Sequence, residues 1–207
     1  DAPGEVAALT GVGLAGEAAV AGGAGSGHTC ALLASGGVRC WGFNGNANLG
    51  DGTVDVRREP VTPTGLPEVT ALSASNDAMG AHTCALTKDR TVWCWGDNRT
   101  GQALPGGPQR IAPTQVPDLA DVSQVVAGPA ATCVLINGVA RCWGTLRTSG
   151  SQILVAAPTT DGVDRLVELG MGHQVLCGRR DDDSVWCWGT RQDAGTAPKQ
   201  VDLRGPV

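Results

Sequence analysis

Short apolar runs recur along this chain in one order, four times over. Each unit opens on a Val/Leu/Ala-rich run, at 17–22, 69–74, 122–128 and 166–170. A glycine-rich turn follows, then an apolar strand around a cysteine, seen as His28-Thr29-Cys30-Ala31-Leu32 and His82-Thr83-Cys84-Ala85-Leu86. The next strand carries Cys-Trp-Gly. A longer polar loop leads to a proline-containing segment ending in valine, at 113–116, 158–163 and 198–201, and proline there points to an edge strand. Runs of this length between turn residues read as β-strands. Four of them in a meander read as a propeller blade, and a period of roughly 45–55 residues marks a repeat architecture.

The cysteines fix the register of each central hairpin. They pair as Cys30 with Cys40, Cys84 with Cys94, Cys133 with Cys142 and Cys177 with Cys187, using all eight. Between Cys133 and Cys142 lies Asn137-Gly138, which suits a two-residue type I′ turn because both central residues need positive φ. The other three gaps are one residue longer and suit three-residue tips at 34–36, 88–90 and 181–183. With either tip the two cysteines face each other across the ladder. Opposed residues lie about 4.5–5.5 Å apart at Cα, within reach of a disulfide. Four cross-strand disulfides are the reading that follows. A zinc site and eight reduced core thiols are the alternatives, and the spacing matches zinc poorly.

Composition narrows the class. The chain has 207 residues, enough for one large all-β domain, with a net charge of −5 and no Lys/Arg block. Nucleic acid is therefore not an expected partner. No apolar run is long enough for a membrane span. Glycine reaches 31 residues, which fits many tight turns. If the disulfides form, the compartment is oxidising: extracellular, cell-surface or periplasmic. The domain reading is a single repeat domain over 1–207, with repeats at 12–65, 66–117, 118–162 and 163–207 and an outer-strand segment at 1–11. The run 6–12 resembles 116–122, and 201–207 fits the same register, so the chain begins and ends at one point of the repeat. Its first residue, Asp1, suits a processed form or a fragment.

Several residue groups invite a functional reading. His28, His82 and His173 lie near the start of the first hairpin strand, with Ala131 in that region of the third unit. Buried, hydrogen-bonded histidines between blades are the expectation, with a metal or catalytic role as the sharper alternative. Trp41, Trp95, Trp143 and Trp188 recur as packing residues. Trp93 and Trp186 sit two residues before a motif tryptophan, where the other units hold Arg39 and Arg141. Arg–Trp stacking between blades or an aromatic platform for sugar would use them. The loop 44–55 has alternating oxygen side chains, but Leu49 and Asp55 stand where a calcium loop needs Gly and Glu. Asp181-Asp182-Asp183 reads as a solvated turn with weak attraction for a cation. Ser26 near His28 and Ser75 near His82 lack a nucleophile elbow and an orienting acid. No catalytic residues, metal or cofactor are expected.

The motifs resemble a known family. Gly27-His28-Thr29-Cys30-Ala31-Leu32, Gly37-Val38-Arg39-Cys40-Trp41-Gly42-Phe43-Asn44 and Asn48-Leu49-Gly50-Asp51-Gly52-Thr53 are similar to the regulator-of-chromosome-condensation repeat. Trp95-Gly96-Asp97-Asn98 and Gly101-Gln102 repeat it, and the third and fourth units match at Cys-Trp-Gly and diverge after it. The resemblance implies a seven-bladed β-propeller, of which this chain carries four repeats, and its cysteines resemble the bacterial secreted or surface branch. It also implies a rigid disc whose loops bind proteins. The expected function is a non-enzymatic, secreted or cell-surface protein-interaction module. A carbohydrate-binding lectin and a self-associating surface-assembly protein are the alternatives. The loops 44–59, 97–110, 145–157 and 190–199 are the expected contact surface, and Asn44, Asn46, Asp51, Asn98, Arg99, Trp93 and Trp186 are the candidate binding residues.

Overall fold

A computed structural model describes residues 19–24, 27–75, 81–148, 151–154, 163–172, 175–188 and 198–202. They form four antiparallel four-stranded sheets. Blade 1 is β1 (Ala19–Ala24), β2 (His28–Leu33), β3 (Val38–Gly42) and β4 (Arg57–Val61). Blade 2 is β5 (Val69–Ala74), β6 (His82–Thr87), β7 (Val92–Asp97) and β8 (Arg110–Gln115). Blade 3 is β9 (Val122–Ala127), β10 (Ala131–Ile136), β11 (Val139–Thr148) and β12 (Ser151–Leu154). Blade 4 is β13 (Leu166–Met171), β14 (Leu176–Arg180), β15 (Val185–Trp188) and β16 (Lys199–Val201). The fold is an all-β, propeller-type array of four blades. Among the described residues no helix is long and apolar enough to cross a membrane.

The hairpin tips follow the chemistry of the gaps. In blade 3, Ile136 pairs with Val139 around Asn137 and Gly138, whose φ values are +50° and +77°. In the other blades a three-residue tip ends on a residue in the left-handed region: Gly36 (+80°), Arg90 (+60°) and Asp183 (+64°). The residue before each three-residue tip donates its N–H to the carbonyl of the residue after it, as Leu33 does to Gly37 O at 2.9 Å, and accepts from the last tip residue, as Leu33 O does from Gly36. Counting back in alternation makes each cysteine pair a non-hydrogen-bonded pair, the closer kind. The observed Cα separations are 4.1, 4.1, 4.0 and 4.1 Å, and a disulfide closes each pair. No cysteine is free.

The glycine of Cys-Trp-Gly has its own cause. Gly42, Gly96 and Gly144 have φ of +104°, +102° and +93°. A Cβ there would lie 2.3, 2.9 and 2.4 Å from the carbonyl oxygens of Gly27, Ala81 and Ala130. The same approach lets the next residue bond back: Phe43, Asp97 and Thr145 donate their N–H groups to those three carbonyls.

One sequence expectation is corrected. The fourth strand of blade 3 is Ser151–Leu154, earlier in the chain than expected, and of the segment 158–163 all but Val163 lies outside the described residues. Blades 1 and 2 have Asn44 and Asn98 three residues after the motif tryptophan, and each folds its loop back. Blade 3 has Leu146 there, so β11 runs on to Thr148 and pairs straight back with Ser151. Pro60 and Pro113 do lie on the outer strands β4 and β8.

The core lies between blades rather than within them. At each of the three described interfaces the cysteine face of one blade meets the tryptophan face of the next. Cys30, Leu32, Val38 and Cys40 of blade 1 pack with Ala85 and Trp95 of blade 2. Cys84, Leu86, Val92 and Cys94 pack with Val134 and Trp143, and Cys133, Leu135, Ala140 and Cys142 pack with Leu176 and Trp188. The disulfides are thus part of the apolar filling. A backbone bond repeats at the tips, where Val69, Val122 and Leu166 donate to the carbonyls of Gly36, Arg90 and Gly138 in the preceding blade at 3.0, 3.2 and 2.9 Å.

Candidate interaction surface

His28 and His82 belong to the blade interfaces. His28 Nε2 lies 2.9 Å from Thr83 Oγ1 of the next blade, and His82 Nε2 lies 2.7 Å from Thr132 Oγ1. Thr132 donates its hydroxyl proton to Gln102 O at 2.7 Å, so it accepts from the Nε2–H of His82. His82 is then neutral, with an unprotonated Nδ1. Burial pushes His28 down to about 4 and, with the charge of His28, His82 down to about 3. Ser75 is occupied too: its hydroxyl oxygen accepts the backbone N–H of His82 at 2.9 Å while the ring points to the next blade. Ser26 and His173 lie outside the described residues. The registers matching His28 hold Ala131 in blade 3 and Val175 in blade 4, and Leu176 stands where Thr29, Thr83 and Thr132 do. At the third interface the His–Thr pair is therefore replaced by an apolar pair.

The loops after Trp-Gly divide into an inner and an outer half. In blade 1, buried Asn44 accepts the N–H of Leu49 at 3.0 Å and donates to Asp51 and to the carbonyl of Thr53, each at 3.1 Å. Asn48 donates to Ala81 O, and its own carbonyl accepts Trp95 Nε1–H at 2.8 Å. In blade 2, Asn98 accepts from Ala103 and Leu104 and donates to the carbonyls of Leu104 and Pro108. Gln102 donates to Asp97. Asn44, Asn48, Asn98 and Gln102 are all buried; Asn44 and Asn98 shape their own loops, while Asn48 and the carbonyl of Gln102 join one blade to the next.

Asp51 organises the outer half of the first loop. Its carboxylate is 7% exposed and pairs with Arg57 at 2.8 Å. Burial opposes its charge, but bonds from Arg57, Thr53 and Asn44 outweigh that and hold its pKa at about 2. Asn46 is half-buried, its backbone N–H donating to Asn48 Oδ1. Arg99 is exposed and pairs with Asp97 at 2.8 Å. Trp93 and Trp186 are half-buried, and Trp186 donates to Ser184 Oγ at 3.2 Å. Arg39 donates to Thr62 Oγ1 at 2.9 Å. The carboxylates of the 181–183 tip face Arg165, Arg179 and Arg180 in ion pairs of 2.8–4.0 Å.

What sequence reasoning missed is apolar. Of six exposed large hydrophobic residues among those described, Phe43, Val54 and Val56 share the first loop, with exposures of 44%, 52% and 63%. A groove of about 260 Å³ is lined by Val54 together with Gly50, Gly52, Thr53, Arg110 and Ile111 among others. The alternation Val-Asp-Val at 54–56 was the available signal. Thr83 and Thr132 were also missed, although His-Thr-Cys occurs in both of the first two units.

Four stacked, disulfide-stapled meanders with a packing tryptophan per interface define a β-propeller repeat protein. Residues 19–47 and 80–102 match the family model described as the regulator of chromosome condensation (RCC1) repeat. These two stretches of the chain carry the signature of that repeat. It is 26% identical over 180 residues to the E3 ubiquitin-protein ligase HERC2 of Homo sapiens, covering 80% of this chain and 4% of that protein. It is 29% identical over 162 residues to the probable E3 ubiquitin-protein ligase HERC6 of Homo sapiens, covering 73% and 16%. It therefore spans only a small part of these curated relatives. Among solved structures it is similar to human WBSCR16, with a TM-score of 0.75 at 17% identity, covering 90% of this chain and 53% of the other. Yeast RCC1 (Prp20), solved with Kap60 bound, gives 0.73 at 18% identity, covering 92% and 50%. The Saccharomyces cerevisiae protein Prp20p, whose structure was described with its binding properties to Gsp1p and histones, also gives 0.73 at 18%, covering 92% and 52%. These structural likenesses establish the fold.

Proposed function

We infer that the chain is a non-enzymatic protein-interaction module that works outside the reducing cytosol. The observation that carries this is the first loop. Exposed Phe43, Val54 and Val56 sit on a backbone pinned by Asn44, Asp51 and Arg57. Apolar side chains held in place on a rigid scaffold lose little entropy on binding, which is what a protein contact needs. The relative Prp20p, with its described binding to Gsp1p and histones, is a precedent for this fold as a binding platform. Four disulfides suit an oxidising compartment and support a secreted or surface setting.

The test is a V54D/V56D variant compared with the parent in quantitative affinity capture from the organism's extracellular and envelope fractions. The reading expects specific partners to be lost with folding unchanged. Identical capture by this variant and by variants of the other exposed loop halves would exclude it. A sugar-binding role for Trp93 or Trp186 is the second reading, favoured only by their half-exposed rings. Saturable quenching of tryptophan fluorescence by a glycan panel would select it.

A further inference from the structure

Two Asn-Gly pairs occur in the chain, Asn44-Gly45 and Asn137-Gly138. The glycine of such a pair has no side chain to hinder the approach of its nitrogen to the asparagine amide. The fold gives the two pairs opposite surroundings. Asn44 is buried, and its amide is engaged at both ends, accepting from Leu49 N–H at 3.0 Å and donating to Asp51 Oδ1 and Thr53 O, each at 3.1 Å. Asn137 is exposed at the tip of the β10–β11 hairpin. Its side-chain amide has no partner among the described residues. In a two-residue tip the ladder closes at Ile136 and Val139, so the N–H of Gly138 takes no part in it and is likewise unbonded among the described residues. The carbonyl of Gly138 is engaged: it accepts Leu166 N–H of blade 4 at 2.9 Å. A Cβ on Gly138 would lie 3.3 Å from the backbone N and Cα of Arg165, so the tip presses closely on blade 4.

We propose that Asn137 is a site of covalent ageing, losing ammonia to become isoaspartate and aspartate while Asn44 stays intact, and that the isoaspartate form releases the tip from blade 4. In the first step hydroxide takes the proton of Gly138 N–H, and the nitrogen attacks Asn137 Cγ. The new N–Cγ bond forms, the Cγ–Nδ2 bond breaks, and Nδ2 takes a proton from water and leaves as ammonia. Water then opens the cyclic imide. Attack at Cγ restores the ordinary main chain as aspartate. Attack at the main-chain carbonyl carbon leaves the chain running through Cβ and Cγ, one methylene longer, as isoaspartate. Nothing is oxidised or reduced. A two-residue tip has little slack for that methylene, because Ile136 and Val139 are held by the ladder and the Cys133–Cys142 disulfide closes the same hairpin. The displacement therefore falls on Gly138 and its bond to Leu166. At Asn44 the same attack must first give up a buried hydrogen bond, which raises its barrier.

The test ages the protein in mildly alkaline buffer, folded and, in parallel, unfolded in urea with its disulfides intact. Both samples are mapped by mass spectrometry, with fragmentation that separates isoaspartate from aspartate. In the folded protein the peptide carrying Asn137 should turn from amide to acid at least about tenfold faster than the peptide carrying Asn44. In urea the two rates should converge. Hydrogen exchange at the Leu166 amide should be at least about tenfold faster in the aged, isoaspartate-rich fraction than in fresh protein. The N137D variant carries the charge without the added methylene and should keep the fresh rate. Equal folded rates at the two asparagines, or no folded-state change at Asn137 while the unfolded chain reacts, would overturn the site. Unchanged exchange at Leu166 in the aged fraction, or equal acceleration in N137D, would overturn the link to blade 4.

Discussion

The imidazole of His82 in blade 2 and the hydroxyl of Thr132 in blade 3 meet at 2.7 Å, and Thr132 hands its own proton to Gln102 O. This pair, with His28 and Thr83 one interface earlier, ties blade packing to proton concentration. The folded pKa values of about 4 and about 3 lie below the ordinary 6.5. In the window below 6.5 the unfolded chain binds protons that the folded chain refuses, so stability falls as pH falls. It is fully present above 6.5 and is lost progressively down to about 4 for His28 and about 3 for His82. Each histidine contributes a slope of about 1.4 kcal/mol per pH unit. Urea unfolding between pH 7.5 and 4.5 should show this slope, and H28Q and H82Q should each flatten it. Asp51, held at about 2 against its usual 3.8, contributes below the pH range of that measurement.

Removing the hydroxyl from this contact tests the geometry without a charge. Thr132→Val leaves the Nε2–H of His82 and the carbonyl of Gln102 buried without their partner. A loss of about 1–3 kcal/mol is expected by chemical denaturation. Thr29→Val, in the matching register of blade 1 where no preceding blade is described, should change stability by less than about 0.5 kcal/mol. Equal effects at the two positions would remove the contact from the account.

The glycine after each motif tryptophan is a steric requirement. Gly96 combines φ of +102° with a carbonyl 2.9 Å from where a Cβ would sit. Gly96→Ala should cost about 1–3 kcal/mol, which for a chain of this size lowers Tm by several degrees, at about 2–4 °C per kcal/mol. Gly52→Ala is the control for strain alone, since its φ is +83° and nothing lies within 4 Å of its Cβ position. The smaller effect should be at Gly52.

How much of this was legible beforehand depends on the range of the interaction. The tips and the opposed cysteines were readable because a strand alternates with period two and a tip has few allowed lengths, so one residue more between Cys30 and Cys40 than between Cys133 and Cys142 had one consistent explanation. The turn of β11 into β12 was hidden because it rests on an absence, with Leu146 in the place of Asn44 and Asn98. The His28–Thr83 bond spans 55 positions, and no local pattern names its partner. The loops misled most. A polar composition suggested an exposed surface at Asn44 and Asn98, yet those amides bond inside their own loops. Buried polar side chains look like exposed ones until their partners are placed.

Each disulfide should act as an independent staple. Closing a loop of 10 residues corresponds to about 2.5–3 kcal/mol in the chain-entropy model. The C84A/C94A variant loses that and also the packing of its sulfurs against Val134 and Trp143, so it should fall by more than C177A/C187A, whose face meets no further blade among the described residues. Intact mass before and after full reduction should differ by eight hydrogens in the parent and six in either variant.

The two halves of the first loop should separate stability from binding. Asn44→Ala removes a buried acceptor for Leu49 N–H and partly buried donors to Asp51 and Thr53. It should cost about 2 kcal/mol or more. The V54D/V56D variant changes two side chains that are more than half exposed, and should stay within about 0.5 kcal/mol of the parent. Exchanging the whole loop would therefore weaken the blade 1–blade 2 interface through Asn48, Trp95 and Ala81, whereas exchanging only residues 52–56 should not. Paired melting curves and partner-capture measurements on the two exchanges distinguish these roles. If both exchanges lower Tm alike, the outer half is part of the scaffold and the contact surface lies elsewhere.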